Sequence, residues 1–161
     1  MNDTPQRAVI LASGGMDSAT ATYEAVEQGY QPLLLHTSYG QATESKEYEC
    51  ASALAKELDA SLLRIETDHL AAIGGSSLTD DIEDADLDSD EVPSSYVPFR
   101  NANLLSMAVS CAEANDADAV FIGAHSEDFS GYPDCRPAFF DAFQQVMDVG
   151  TKPDTEIALE A

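Results

Sequence analysis

The stretch from Val9 to Ser18, VILASGGMDS, carries the residue types that bind phosphate groups. An apolar run precedes the two glycines, and a helix-like pattern follows them. This order places the glycines at the junction of a strand and a helix. Gly14 and Gly15 permit positive φ and a close approach of the backbone to a ligand. Ser13 and Ser18 add hydroxyl donors, and the first turn of a helix offers unpaired N–H groups. The stretch therefore predicts an anion-binding loop.

This loop lacks the lysine of the GxxxxGK[ST] type of phosphate loop, which reaches the β- and γ-phosphates. Without it, the loop suits the binding of pyrophosphate as a leaving group, with attack at the α-phosphate. Glycine pairs after strands also occur as plain turns, so the whole string SGGxDS is the informative signal.

Alternating strands and helices are expected to position the loop. Continuous apolar runs typical of strands buried on both faces are RAVILAS (7–13), PLLLHTS (32–38), SLLRIE (61–66) and AVFIG (119–123). Helix faces that we expect to be apolar and core-facing are Met16, Ala19, Tyr23 and Val26; Ala51, Leu54, Ala55 and Leu58; Leu104, Ala108, Cys111 and Ala112; and Phe139, Phe143, Val146 and Met147. The order predicts an α/β fold, a Rossmann-like three-layer sandwich with a parallel sheet.

One interval interrupts this alternation of predicted strands and helices. Residues 67–98 are glycine-rich and then acidic, without a sustained period, so we expect a long loop or lid within one domain that spans residues 1–161. The 161 residues suffice for a single sizeable core.

Charge and hydropathy limit the partners. Asp and Glu number 30 against 7 Lys and Arg, a net charge of −23, which disfavours a nucleic-acid partner. We interpret the acidity as adaptation to high salt, with a binding role for the charge as the alternative. The apolar runs are too short to span a membrane and no secretory signal precedes them, so we expect a cytoplasmic protein without a membrane partner.

Further motifs point to a family. SSYVPFRNANLLSMAVSCAE (94–113), FIGAHSEDFSGYPDCRPAFFDAF (121–143), YGQ (39–41) and GGSSLTD (74–80) join SGGMDS. Together they resemble the 7-cyano-7-deazaguanine synthase family of the PP-loop ATP pyrophosphatases, from about residue 8 to the end. The resemblance implies a C–N-forming ligase of queuosine and archaeosine biosynthesis. Its reaction converts 7-carboxy-7-deazaguanine and ammonia to the nitrile through adenylylated intermediates, with ATP and Mg²⁺.

The resemblance also implies site residues. Nucleotide-binding positions are Leu11, Ala12, Ser13, Gly14, Gly15, Met16, Asp17, Ser18 and Ala19. Asp17 and Arg100 are the expected catalytic residues. Asp17 would hold Mg²⁺, which prefers oxygen ligands; the alternative is an aspartate that only favours a helix N-terminus. Arg100 would clamp a phosphate or the substrate carboxylate; the alternative is a surface arginine.

Substrate recognition is assigned to a second group of residues: Arg100, Asn101, Asp128, Tyr132 and Asp134. Asp128 and Asp134 would accept hydrogen bonds from the guanine-like amino edge, and Tyr132 would stack on the ring. The alternative is ordinary turn chemistry with a tyrosine packed in the core.

The sequence departs from the family in two places. Ala42 and Thr43 stand where the family has an arginine and a histidine. The family's four-cysteine zinc site has no counterpart, because Cys50, Cys111 and Cys135 lack ligand spacing. His36, His69 and His125 form no metal-like spacing either.

We therefore expect a C-terminally truncated member, or one completed by a partner chain, that binds nucleotide but forms little nitrile alone. A homodimer is compatible with this interpretation. The alternatives are a non-catalytic adenine-nucleotide-binding module or remnant, and another PP-loop enzyme such as a tRNA thiolase.

Overall fold

A computed structural model describes residues 5–75, 96–124 and 131–161 of the chain. Within these ranges a five-stranded sheet has the order β3-β2-β1-β4-β5, and each neighbouring pair is parallel. The strands are β1 (Arg7–Leu11), β2 (Gln31–Ser38), β3 (Ser61–Glu66), β4 (Ala119–Phe121) and β5 (Ala158–Glu160). The helices are α1 (Met16–Glu27), α2 (Glu44–Glu57), α3 (His69–Ile73), α4 (Arg100–Ala114) and α5 (Pro137–Gly150), with a 3-10 turn at Pro133–Cys135. The predicted α/β class and parallel sheet are confirmed.

The helices cover both faces of the sheet because successive strand residues point to opposite sides. Val9 and Leu11 of β1 pack with α4 and α5 in one apolar cluster. Ala8 and Ile10 pack with α1 and α2 in the other. The result is the three-layer sandwich that the alternation of elements predicted.

The order in which strands are added to the sheet reverses at β1. The chain moves outward through β2 and β3, then returns through α4 to place β4 on the other side of β1. In open parallel sheets, the crevice beyond the carboxyl end of the strands at such a reversal is the usual ligand site. The glycine-rich loop follows β1 directly and therefore lies at this crevice.

The predicted apolar face of α1 is wrong. Met16 is 85% exposed and Tyr23 is 44% exposed, whereas Ser18, Thr22 and Ala25 face the sheet. The hydroxyl of Thr22 donates to the carbonyl of Ser18 at 2.7 Å. Burying these hydroxyls is tolerated because each is hydrogen-bonded to a carbonyl within or next to the helix.

Other departures are local. Strand β3 is an edge strand whose residues are half-buried or exposed, so its apolar run does not have two buried faces. Val146 of α5 is 59% exposed, while Phe140 takes the buried position. Helix α3 lies within the interval predicted as a loop, and β5 was not predicted. Residues 76–95 of the predicted lid, with His125 and Asp128, lie outside the described residues.

Candidate active site

The glycine-rich loop is pressed between two neighbouring segments. Gly14 has φ +79°, and a Cβ there would clash with the backbone carbonyl of Glu47 in α2. A Cβ at Gly123, after β4, would lie 2.5 Å from the carbonyl carbon of Asp17. Both contacts are backbone to backbone, so no side chain can move aside to relieve them. Glycine at these two positions lets the loop and the start of α1 sit deep in the crevice.

The start of α1 carries donors that nothing in the described residues accepts. Gly15 is the N-cap, and no side chain caps the helix. The N–H groups of Met16, Asp17 and Ser18 have no acceptor among residues 5–75, 96–124 and 131–161. Four N–H groups at every helix start lack intrahelical partners, and they carry the positive end of the helix dipole. This helix start is suited to an anion.

A cavity of about 340 Å³ opens at this helix start, at the carboxyl ends of β1, β2 and β4. Side chains and backbone from β1, β2, α1, α2, α4, the 3-10 turn and the loops after β1, β2 and β4 meet there. Its lining comprises Leu11, Ala12, Ser13, Gly15, Met16, Asp17, Ser18, Leu35, Thr37, Tyr39, Gln41, Glu47, Arg100, Asn101, Leu104, Ile122, Gly123 and Cys135. Of the predicted nucleotide-binding positions, Gly14 and Ala19 are not part of the lining.

Arg100 reaches this cavity from the first turn of α4 and is half-buried. Its Nη1 donates to the Tyr39 hydroxyl at 3.4 Å. Burial acts to lower the pKa of the guanidinium, but attraction to Tyr39, Asp134 and Cys135 outweighs it, so the pKa is raised. The side chain therefore places a positive charge on the lining of the cavity to which the start of α1 also contributes. It is not a surface arginine.

Asn101 and Asp134 join α4 to the 3-10 turn. The Asp134 carboxylate accepts a hydrogen bond from the backbone N–H of Asn101 at 2.8 Å. The Asn101 amide nitrogen donates to the Asp134 carbonyl at 2.9 Å and contacts the Cys135 sulfur at 3.2 Å. All of these groups are buried. Asp134 thus holds the helix start that presents Arg100.

Tyr132 contributes less to the described cavity than Arg100 and Asn101 do. Tyr132 is half-buried, and its ring lies 6.1 Å from that of Tyr96. Neither Tyr132 nor Asp134 belongs to the cavity lining, whereas Asn101 does. Asp128 is outside the described residues.

Asp17 lies in the first turn of α1, exposed and on the cavity wall. Its position agrees with both sequence interpretations, because a carboxylate there favours the helix N-terminus and also faces the cavity. Among the described residues, no group of three or more His, Cys, Asp or Glu side chains forms a metal site. Cys50 is exposed, while Cys111 and Cys135 are buried in separate places.

Three further residues line the cavity without a site role predicted from the sequence: Tyr39, Gln41 and Glu47. Gln41 is buried and accepts a hydrogen bond from the backbone N–H of Tyr39 at 2.8 Å. Its amide nitrogen donates to the Glu47 carboxylate at 2.9 Å, so Gln41 fixes a carboxylate on the cavity wall. The YGQ motif was the available signal, because it directly follows β2 at the same edge as the glycine-rich loop.

Comparison with known proteins identifies the family. A family model described as "Queuosine biosynthesis protein QueC" matches residues 7–161. The chain belongs to this family. The QueC family assignment confirms the resemblance drawn from the motifs, and it covers all the elements that build the cavity.

Curated relatives carry a uniform name. The chain is 76% identical to the 7-cyano-7-deazaguanine synthase of Haloarcula marismortui over 160 residues, which are 96% of this chain and 69% of that protein. It is 53% identical to the synthase of Methanospirillum hungatei, over 96% of this chain and 72% of the relative.

Among solved structures, an NH3-dependent NAD synthetase from Campylobacter jejuni is similar with a TM-score of 0.51 and 15% identity, over 94% of this chain and 71% of that one. A protein described as a predicted subunit of tRNA methyltransferase from Methanocaldococcus jannaschii has a TM-score of 0.58 and 13% identity, over 96% of this chain and 67% of that one. At these identities the likeness concerns the fold alone.

Membrane insertion finds no support in the helices. None of those in the described part of the chain is both long and apolar enough to cross a bilayer.

Proposed function

We propose that the chain catalyses the ATP-dependent conversion of 7-carboxy-7-deazaguanine and ammonia to 7-cyano-7-deazaguanine, as a ligase that forms a C–N bond. The observation that carries this proposal is the uncapped start of α1 facing the cavity beside the glycine-rich loop. Family membership and the name shared by the relatives support the choice of reaction.

The reaction explains why a binding site for pyrophosphate is required. We call the glycine-rich loop together with the N–H groups at the start of α1 the cradle. A carboxylate is a poor electrophile because its oxygen is a poor leaving group. Attack of the carboxylate on the α-phosphate of ATP forms an acyl adenylate and releases pyrophosphate. Ammonia displaces AMP and loses a proton, which gives the amide. The amide oxygen then attacks a second ATP, and loss of AMP and two protons leaves the nitrile. Each ATP loses pyrophosphate, so one cradle serves both steps.

The described residues supply positive charge and hydrogen-bond donors near the place where negative charge develops on the departing pyrophosphate. We infer that the free N–H groups of Met16, Asp17 and Ser18 bind the departing pyrophosphate. Arg100 lines the same cavity and would bind a phosphate or the substrate carboxylate by paired hydrogen bonds. Leu35, Leu104 and Ile122 line the same cavity and reduce its access to water.

The cavity lining offers carboxylate oxygens that suit Mg²⁺. Asp17 and Glu47 both place carboxylates on the cavity lining, and Mg²⁺ is commonly bound by one or two carboxylates together with substrate phosphates. We infer that these two residues would hold it, where it would neutralise charge on the phosphates. Zinc does not fit the described residues, because the three cysteines are dispersed. No step of the proposed reaction passes through zinc.

Pyrophosphate release tests the proposal. The wild-type chain, with ATP, Mg²⁺ and ammonium in concentrated KCl, is expected to release pyrophosphate only when 7-carboxy-7-deazaguanine is added. The amount of nitrile formed in the same assay tests the sequence-based expectation that the chain alone forms little. Gly14→Ala is expected to lower kcat/KM about 5- to 150-fold, because overpacking costs about 1–3 kcal/mol. Nucleotide binding without substrate-dependent pyrophosphate release would support the non-catalytic alternative instead.

Gly29→Ala is the matched control. Gly29 also has positive φ, +92°, but a Cβ there has no atom within 4 Å. Both substitutions therefore place alanine in left-handed backbone, and only the one at Gly14 displaces the loop. Equal losses in the two variants would contradict the assignment of the loop as the cradle.

We further infer that the net charge of −23 is a salt adaptation. Cytoplasmic localisation, a homodimer, the absence of a nucleic-acid partner and the single-domain organisation with its lid stay predictions from the sequence.

A further inference from the structure

One histidine of the central sheet is hydrogen-bonded to the glycine-rich loop. His36 lies in β2 and is 1% exposed. Its Nδ1 is 2.8 Å from the carbonyl oxygen of Ala12, the residue just before Ser13. A carbonyl oxygen can only accept, so Nδ1 carries the proton and donates it.

Ala12 is held by β2 through both of its backbone polar groups. Its N–H donates to the carbonyl of Leu35 at 2.9 Å, and its carbonyl accepts from His36. The register of β1 and β2 ends at Leu11 and Leu35, so the carbonyl of Ala12 is bound by a side chain and not by the strand ladder. This side chain therefore fixes the direction in which the loop leaves the sheet.

The other nitrogen of His36 is unsatisfied. Nε2 is buried without a hydrogen-bond partner among the described residues, and the ring packs against that of Tyr48 at 5.6 Å between centroids. A buried polar atom without a partner lowers stability. An apolar residue would avoid that penalty but would leave the buried carbonyl of Ala12 without its donor, so the contact with the loop is what the histidine supplies.

We infer that His36 is a positioning residue for the nucleotide cradle: its Nδ1–H holds the carbonyl of Ala12 and thereby orients the N–H groups at the start of α1 toward the phosphates. This inference rests on the proposed function. The loop is also held where Gly14 meets Glu47 and where Asp17 meets Gly123, but of these three contacts only the one from His36 is made by a side chain. It can therefore be removed without changing the loop sequence.

Three substitutions separate positioning from packing. His36→Asn keeps a donor near the place of Nδ1. His36→Gln moves the donor to the place of Nε2. His36→Leu removes both nitrogens and fills much of the volume. Dissociation constants for ATP with Mg²⁺ would be measured by calorimetry in concentrated KCl, together with melting temperatures without nucleotide.

The expected result is that His36→Leu and His36→Gln weaken ATP binding roughly 3- to 10-fold, the effect of losing one hydrogen bond, while His36→Asn stays within about twofold of the wild type. His36→Leu should melt close to the wild-type temperature, because the gain from removing the unsatisfied Nε2 is offset by leaving the carbonyl of Ala12 without its donor. Unchanged affinity in His36→Leu, or equal losses in His36→Asn and His36→Gln, would overturn the inference. If His36→Leu does not fold, the Asn and Gln variants decide the question.

Amide hydrogen exchange without nucleotide separates this inference from the proposed function. Residues 12–18 should exchange faster in His36→Gln than in His36→Asn and the wild type. A wild-type chain that shows this protection but binds no ATP would contradict the proposed function while leaving the contact between His36 and the loop supported. Identical exchange in all three proteins would overturn the contact.

Discussion

Replacement of Asp134 by alanine tests whether this residue anchors α4 or recognises substrate. Its carboxylate accepts the backbone N–H of Asn101 in the first turn of α4, where a helix start otherwise lacks a partner. Loss of such a contact at a helix start costs about 0.5–2 kcal/mol. The Asn101 N–H is buried, and leaving it unpaired adds about 1 kcal/mol or more. We therefore expect Asp134→Ala to lose about 2–3 kcal/mol of unfolding free energy.

Urea unfolding followed by circular dichroism in concentrated KCl measures this loss. At about 2–4 °C per kcal/mol for a chain of this size, the melting temperature should fall by roughly 4–12 °C. Asp134→Asn should fall between the wild type and the alanine variant, because its amide oxygen still accepts but carries no charge.

Asp148→Ala is the control for a generic loss of an aspartate. Asp148 accepts a hydrogen bond from Gln144 at 2.8 Å, but the pair is exposed on α5, so its loss should cost at most about 0.5 kcal/mol. If Asp134→Ala were as stable as Asp148→Ala and lost only substrate turnover, the anchoring argument would be refuted. The assignment of Asp134 to the guanine-like edge would then be favoured.

Three further predictions use other parts of the chain. Gly123→Ala should lose about 1–3 kcal/mol of stability and weaken ATP binding, because its Cβ would meet backbone at the start of α1. Its control, Gly150→Ala, has open space around the Cβ and should be neutral or slightly stabilising. Equal effects of the two substitutions in equilibrium unfolding and calorimetry would contradict the close approach at Gly123. The unfolding midpoint should rise from dilute buffer to about 1 M KCl, where the screening length is about 3 Å, because the charge of −23 is then screened; a flat midpoint would exclude salt adaptation. Thiol labelling of the folded chain at neutral pH should modify Cys50 quickly, and Cys111 and Cys135 only on unfolding. The latter two are buried, and burial raises the pKa of the Cys111 thiol above its ordinary value. Fast labelling of all three cysteines would contradict the burial of Cys111 and Cys135.

The fold was predictable because the sheet is built from contiguous apolar segments. All four predicted strands form, in parallel, and the glycine-rich loop lies at the predicted junction of strand and helix. The inner face of α1 was not predictable from hydrophobicity, since Ser18 and Thr22 are buried with hydroxyls satisfied by backbone carbonyls. A periodicity that counts apolar residues selects Met16 and Tyr23 instead. Strand β3 was misjudged because apolar runs look alike at the edge and in the centre of a sheet.

The site was predictable only where its residues are adjacent in sequence. The predicted anion-binding loop occupies one short stretch, and its proposed chemistry follows from two glycines and a helix start. The opposite wall depends on contacts between distant residues, because Glu47 reaches the cavity only where Gly14 lets the loop touch the backbone of α2. Arg100 likewise lines the same cavity because Asp134, 33 residues away from Asn101, holds the start of α4. His36 shows the same limit: a buried histidine in a strand has no distinctive sequence signal, and only its hydrogen bond to Ala12, 24 residues away, connects it with the cradle. Composition and spacing thus predict an anion-binding loop, while tertiary contacts determine which side chains hold that loop in place.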